Sequence, residues 1–289
     1  MIILNGKEIQ EKIKQEIKEE ISKGYKPTLA ILQIGNLNQS NVYVNQKKIH
    51  AYDCNIETVH KIYDINTTEE ELIASIKLLN KDNNINGIIV QLPLPSHLSE
   101  FNILEAILPI KDVDCMTSTN IGLLHIQRPI FKPCTSEGII EIMKRYNILL
   151  ESKNVLIIGR SNIVSRPLGE LLLQENCTVT ISHSKTKEIK KMLMNYDIII
   201  SAIGKSNFLI KEDFKRNTTI TDKILIDVGI NRDANGKLCG DISKEIYNNA
   251  ETNISHITPT PNGVGRMTVA CLLRNVLKAY KIQNNIKTL

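Results

Sequence analysis

The chain has 289 residues, a length that favours about two domains of ordinary size. Its 36 Lys and Arg residues are interspersed with 31 Asp and Glu residues, so the net charge of +5 does not form the basic stripe of a nucleic-acid-binding protein. No apolar run reaches the ~20 residues of a membrane span. Six cysteines lack CxxC pairs and metal-ligand spacing with histidine, which predicts no metal site and a reducing, cytoplasmic compartment. We therefore expect neither nucleic acid nor membrane as a partner.

The first half of the chain alternates between helical and strand patterns. Ser40 is a plausible N-cap of the second helix in this half. The alternation is typical of βαβ units and predicts an α/β fold with a mostly parallel sheet. The predicted elements are a helix at 6–23, a strand at 28–35, a helix at 40–54, a strand at 57–63, a helix at 67–80 and a strand at 87–95.

The second half repeats this alternation and is typical of an open nucleotide-binding sheet. A Pro- and Gly-rich segment then precedes one long helix, which we expect to return to the first domain. The predicted domains are 1–139 together with 262–289, and 140–261. The predicted elements are a helix at 135–146, a strand at 154–159, a helix at 167–175, strands at 179–182, 197–204 and 224–230, and a final helix at 269–280.

Tyr43 and Lys47 are four residues apart in the second predicted helix, so they lie on one face, one turn apart. Such a pair is often only a solvated face with an aromatic stem. The alternative is a flat ring that supports a substrate beside an amine that moves protons.

The turn after the strand at 154–159 carries a candidate anion site. Gly159 ends the strand and a helix begins soon after, so backbone N–H groups are available there, although the GxGxxG pattern is absent. The next strand end lacks the acid that would hold a ribose 2′-hydroxyl. Arg160, Ser161 and Ser184 therefore favour a 2′-phosphate, and hence NADP, over NAD; an ordinary polar loop is the alternative.

Two further segments carry polar side chains near strand ends. Gln91 lies near the end of the strand that starts at 87, where it either orients a group such as the Lys47 amine or is an exposed amide. Asp112 and Asp114 either bond their own turn or supply a carboxylate to a ring with adjacent N–H donors.

Eight short segments in order resemble the bifunctional methylenetetrahydrofolate dehydrogenase/cyclohydrolase family. The resemblance extends over nearly the whole chain. The segments are SNVYVNQKK (40–48), GIIVQLPLP (87–95), KDVDCMTSTNIGLL (111–124), KPCTSEGIIEI (132–142), VLIIGRSNIV (155–164), HSKT (183–186), IDVGIN (226–231) and TPTPNGVGRMTVA (258–270).

The resemblance implies an N-terminal αβ catalytic domain, a Rossmann-type NADP-binding domain, a folate site in the cleft between them and a homodimer. It implies oxidation of 5,10-methylenetetrahydrofolate with NADP and hydrolysis of the methenyl product to 10-formyltetrahydrofolate. Lys47 matches the catalytic lysine, Tyr43 the tyrosine against the folate, Gln91 the glutamine that bonds the lysine, and Asp114 the aspartate that anchors the pterin. The positions that match NADP contacts are Gly159, Arg160, Ser161, Ser184 and Ile230.

Several residues depart from the family pattern. Cys115 and Ser165 stand where the family usually has Gly, and they add side chains where backbone approaches a ligand. Asn262 and Arg266 replace the usual Gly and Pro of a late loop, and Ser136 and Glu137 the usual Pro-Lys. Two alternatives therefore stay open: a homologue that keeps the cyclohydrolase with a weakened dehydrogenase, and a folate- or nucleotide-binding homologue without turnover.

Overall fold

The computed structural model describes residues 1–214, 223–247 and 253–287. The chain divides into two compact units: one comprises Met1–Gln10 and Thr135–Thr268, the other Glu11–Cys134 and Val269–Leu289. The domain boundaries that the sequence suggests stay a prediction. Within the described residues, we find no helix with the length and apolar character needed to cross a membrane.

Strands and helices alternate along most of the chain, as the sequence predicts. The strands are β1 (Ile2–Ile3), β2 (Thr28–Ile34), β3 (Glu57–Tyr63), β4 (Gly87–Val90), β5 (Asn154–Ile158), β6 (Thr178–Ser182), β7 (Ile198–Ser201), β8 (Lys223–Asp227), β9 (Asn231–Arg232), β10 (Leu238–Cys239) and β11 (Ile254–Ile257). The helices are α1 (Gly6–Ile21), α2 (Asn38–Asp53), α3 (Glu69–Lys81), α4 (Glu100–Glu105), α5 (Ser118–His125), α6 (Cys134–Arg145), α7 (Ser165–Gln174), α8 (Ile189–Met192) and α9 (Val264–Gln283).

The unit that contains Glu11–Cys134 is built on a parallel sheet in the order β3-β2-β4. Every residue of β2 is buried, as expected for a central parallel strand. Leu32, Ile76 and Ile103 belong to the core on one face of this sheet. The second part of α9 packs in this unit, where the Gln283 amide donates to the Asn86 carbonyl over 2.8 Å. The return of the final helix to the first domain is thus confirmed.

The other unit contains a parallel sheet whose described strands run in the order β1-β11-β8-β7-β5-β6. From β5 the chain proceeds to β6 on one side and then to β7 on the other. That reversal opens a crevice at the carboxyl ends of β5 and β7, where open α/β sheets bind ligands. Leu156, Ile199 and Leu225 from the three central strands form its core with Phe214.

The structure corrects some local expectations. Ser40 is not the N-cap, because α2 begins at Asn38 and the capping residue is Leu37, which makes no side-chain cap bond. The strand predicted at 87–95 ends at Val90. The short elements β1, β9, β10, β11, α4, α5 and α8 were not predicted, because pieces of two to eight residues carry too little periodicity to read.

Candidate active site

Helix α2 places Tyr43 and Lys47 one turn apart, as the sequence predicts, and both side chains are half-buried. The Lys47 amine donates to Oε1 of Gln91 over 2.9 Å. Gln91 directly follows β4 and is buried, and its own Nε2 donates to the Leu92 carbonyl over 2.7 Å. Since its nitrogen is engaged there, the amide presents its oxygen to the lysine.

The surroundings of Lys47 favour the neutral amine. Burial lowers the pKa of Lys47, because an ammonium ion loses hydration there. The charge of Asp114 opposes the change and raises this pKa. A lower pKa increases the fraction of neutral amine at any given pH, and the neutral amine is the form that can accept a proton.

The two aspartates of the segment at 112–114 have different surroundings. Asp112 is buried, and its carboxylate accepts hydrogen bonds from Thr117 (N and Oγ1), Met116 N and Asn120 Nδ2. Burial raises the pKa of Asp112, and these hydrogen bonds oppose that rise. Asp114 is half-buried and, within the described part of the chain, accepts no hydrogen bond. Asp112 therefore holds the turn, whereas the carboxylate of Asp114 is not used in it.

Cys115 adopts a φ of 60°, the left-handed conformation that glycine accepts most readily. Its side chain is fully buried, and the thiol donates to the Phe131 carbonyl over 3.3 Å. The extra side chain at this position is thus packed inside the unit, and it does not project toward a ligand beside Asp114 as its place in the sequence suggests.

The turn after β5 requires a glycine. Gly159 has a φ of 134°, and a Cβ there would lie 2.6 Å from the Ala202 carbonyl oxygen. Ser161 accepts hydrogen bonds from Val164 N (3.2 Å) and Ser165 N (3.3 Å) at the start of α7. This tight backbone cradle fits the phosphates of a dinucleotide, which need close approach to main-chain N–H groups.

Ser165 lies directly below this turn. Its side chain is fully buried, and its Oγ has no hydrogen-bond partner within the described residues. The Oγ is 2.8 Å from the place that a Cβ at Gly159 would take. The Ser165 hydroxyl therefore fills buried space under the glycine turn and is not exposed on its surface.

Arg160 and Ser184 follow paired strands, since Ile158 of β5 is in register with Ser182 of β6. Both Arg160 and Ser184 are exposed. Ser182 and the five residues after it include no carboxylate, so the edge retains the features that favour a 2′-phosphate. Ile230, 48% exposed, follows β8 and lies two strands away from β5.

A buried aspartate pair near the same edge was missed by the sequence analysis. Asp241 accepts hydrogen bonds from Ser201 Oγ, Ile203 N, Lys205 N and Asn231 Nδ2, which fixes the loops after β7 and β8. Asp227 accepts from the backbone of Gly229, Asp241 and Ile242, and burial raises its pKa to about 7. No local sequence pattern marks this pair, because its partners are backbone groups and residues of other loops.

The late loop is joined to the start of α9 by two of the residues that depart from the family pattern. Arg266 donates through Nε (3.2 Å) and Nη2 (3.1 Å) to Oδ1 of Asn262, which has a φ of 79°. The two residues therefore act as a local pair, in which the arginine supports the turn that the asparagine makes.

Comparison with known proteins agrees with this geometry. The tetrahydrofolate dehydrogenase/cyclohydrolase catalytic-domain model matches residues 4–114, and the NAD(P)-binding-domain model of the same family matches residues 133–284. A bifunctional protein FolD from Acetivibrio thermocellus is 43% identical over 289 residues, with 99% of each chain covered.

Solved structures show the same similarity. The bifunctional FolD methylenetetrahydrofolate dehydrogenase/cyclohydrolase of Campylobacter jejuni matches with a TM-score of 0.91 and 40% identity, over 98% of this chain and 99% of that one. The Trypanosoma brucei enzyme, solved with NADP and an inhibitor, matches with a TM-score of 0.90 and 31% identity over 98% of each chain. The chain belongs to the tetrahydrofolate dehydrogenase/cyclohydrolase family.

Proposed function

We propose that this chain is a bifunctional folate enzyme that acts in one-carbon metabolism. It oxidises 5,10-methylenetetrahydrofolate to the 5,10-methenyl cation with NADP, and it hydrolyses that cation to 10-formyltetrahydrofolate. The observation that carries the proposal is the hydrogen bond between the half-buried Lys47 amine and Gln91, with the Asp114 carboxylate nearby in the same unit.

Hydrolysis is the step that needs Lys47. Water adds to the methenyl carbon, and the neutral amine accepts one of its protons. The amine then returns a proton to N5 of the folate as the bond between this carbon and N5 breaks, and the second water proton passes to solvent. Gln91 holds the amine in place throughout, because its oxygen accepts from Nζ in either protonation state.

Tyr43 and Asp114 bind the folate in this proposal. The half-buried Tyr43 ring lies one turn before Lys47 and offers a flat apolar surface to the substrate. Asp114, whose oxygens accept no hydrogen bond within the described residues, accepts from adjacent N–H donors of the pterin in bidentate fashion. Binding through these two groups fixes the reacting carbon relative to Lys47, which is the larger part of what a site can contribute.

Oxidation needs placement more than proton transfer. NADP supplies the hydride acceptor when bound. The backbone at Gly159 and the hydroxyl of Ser161 hold the phosphates, Arg160 and Ser184 hold the 2′-phosphate, and Ile230 supplies an apolar contact. The substrate carbon already carries two nitrogens that stabilise the product cation, so no protein base is required.

We also propose a homodimer in the cytoplasm that serves purine, histidine and methionine biosynthesis. Two surfaces of one unit support the dimer. Strand β3 is the edge of its sheet, where Ile62 is 63% exposed, and the outer face of α2 carries Ile49 and Tyr52, the latter 82% exposed. An open strand edge beside exposed apolar side chains is a surface that proteins normally cover.

One assay separates the proposed function from its alternatives. Purified protein is given 5,10-methylenetetrahydrofolate and NADP, and the NADPH and methenyl absorbances are followed together. The bifunctional enzyme forms NADPH with only transient methenyl absorbance, and it also hydrolyses added methenyltetrahydrofolate. Hydrolysis without NADPH formation would instead identify a cyclohydrolase, and neither signal would identify a binding protein.

A further inference from the structure

Helix α9 brings a buried asparagine next to the groups that surround Lys47. Asn275 is 4% exposed, and its Nδ2 donates to the Val113 carbonyl over 2.9 Å and to the Lys132 carbonyl over 3.1 Å. The same nitrogen lies 3.6 Å from Cys134 Sγ. These partners are more than 140 residues away in sequence, so no local pattern announces the contact.

The two segments that Asn275 joins are those that carry the neighbours of Lys47. Val113 immediately precedes Asp114, and the thiol of Cys134 itself donates to the Val113 carbonyl over 3.4 Å. One residue further on, the Cys115 thiol donates to the Phe131 carbonyl. Three side chains thus tie the turn at 113–115 to the segment at 131–134. Cys115 and Cys134 each belong to one segment and bond the other, whereas Asn275 comes from α9 and donates to both.

We propose that Asn275 is a positioning residue for the cyclohydrolase reaction: by holding the Val113 carbonyl and Cys134, it fixes Asp114 and the Cys134 thiol relative to the Lys47 amine. The proposal rests on the proposed function, in which the neutral amine moves protons and Asp114 binds the pterin. A buried amide suits this role, because it supplies two strong donors without adding a charge that would itself change the lysine.

The groups that face Lys47 determine what the loss of the Asn275 side chain changes. They are Gln91 beyond β4, Asp114 in its turn, Cys134 at the start of α6, and Tyr43 on the same helix. Asp114 favours the protonated amine. Without Asn275 the turn is free to move away, the stabilisation of the ammonium by Asp114 weakens, and the pKa of Lys47 moves lower.

The test compares Asn275→Leu, which keeps the branched shape and the number of side-chain heavy atoms but removes both donors, with Asn86→Ala as a control. Asn86 is also buried, and it also bonds a residue of α9, donating to Gln283 over 3.3 Å, but its other side-chain bond is from Thr28 N, and within the described residues it makes no hydrogen bond to the turn at 113–115. We expect Asn275→Leu to lower kcat for hydrolysis about tenfold and to shift the pH midpoint of that reaction down. Asn275→Gln, which keeps the amide, should recover part of both, and Asn86→Ala should shift neither.

A second readout does not depend on activity. NMR titration of 13C-labelled lysines, with Lys47 assigned by its absence from the Lys47→Met spectrum, measures the midpoint directly. A folded Asn275→Leu protein with wild-type kcat and an unmoved Lys47 midpoint would overturn the proposal. If that variant does not fold, Asn275→Ser, which keeps one donor, is held to the same two criteria. A wild-type protein that fails to hydrolyse methenyltetrahydrofolate would count against the proposed function, while the titration would still decide the role of Asn275.

Discussion

Lys47 and Arg160 are both cations assigned to a ligand, yet the chain treats them in opposite ways. Lys47 is half-buried and its amine is bonded to Gln91, whereas Arg160 is exposed and has no hydrogen bond to any described residue. A group that moves protons works best with a pKa near working pH, and burial lowers the pKa of Lys47 in that direction. A group that grips a phosphate needs its full charge and freedom to close on the ligand, which exposure preserves.

Replacement of the buried cation should have the largest effect. Lys47→Met removes the proton acceptor while keeping the length of the side chain, so hydrolysis of methenyltetrahydrofolate should fall by a factor on the order of 10² or more. Oxidation should fall much less, because it needs no base. The control is Lys48→Met on the same helix, which should leave both rates within about twofold. Equal losses in the two reactions would show that Lys47 acts through binding instead.

Replacement of the exposed cation should affect binding of one cofactor. Arg160→Ala should raise the Michaelis constant for NADP about tenfold or more, and that for NAD much less, since the 2′-phosphate is the group that a guanidinium grips with two bonds. Steady-state rates with both cofactors give these constants. Lys153→Ala removes a charge just before the amino end of β5 and serves as the control. If NADP and NAD weakened alike, Arg160 would hold a feature common to both cofactors.

The rate of hydrolysis should depend on pH more strongly than the rate of oxidation, because only hydrolysis uses the Lys47 amine as a base. Burial lowers the pKa of Lys47, so the fraction of neutral amine rises with pH up to that pKa and is constant above it. The rate of hydrolysis should therefore rise about tenfold per pH unit below the pKa of Lys47 and level off above it, whereas the rate of oxidation should vary less. Parallel profiles of kcat for the two reactions would contradict the assignment of a base to hydrolysis alone.

The smallest expected effect concerns the hydroxyl beneath the glycine turn. The buried Ser165 Oγ lacks a partner within the described residues, and such a group costs roughly 1–3 kcal/mol of stability. Ser165→Ala should therefore raise the free energy of unfolding by about 1 kcal/mol, measured by denaturant titration, with little change in NADP affinity. A weaker affinity for NADP in Ser165→Ala would show instead that the hydroxyl serves the cofactor.

The sequence predicted the larger elements because long, periodic segments determine them locally. It also predicted that Tyr43 and Lys47 share a face, which follows from helix spacing. For Gln91 the residues left open a partner of Lys47 and an exposed amide, the resemblance implied the partner, and the structure shows the hydrogen bond between them. Turn chemistry alone could not separate Asp112 from Asp114, which only the resemblance distinguished, because their difference depends on Thr117 and Asn120 folding back on the first carboxylate. Asn275 and the pair of Asp227 and Asp241 stayed hidden for the same reason: their partners are distant in sequence or belong to the backbone.

The most direct test of the account is a single progress curve with Lys47→Met, 5,10-methylenetetrahydrofolate and NADP, in which NADPH and methenyl absorbance are recorded together and uncatalysed hydrolysis is subtracted. If Lys47 serves hydrolysis and not hydride transfer, the variant forms NADPH and accumulates methenyltetrahydrofolate in equal amount, where the wild type accumulates little. NADPH formation without methenyl accumulation, or loss of NADPH formation as complete as the loss of hydrolysis, would contradict it.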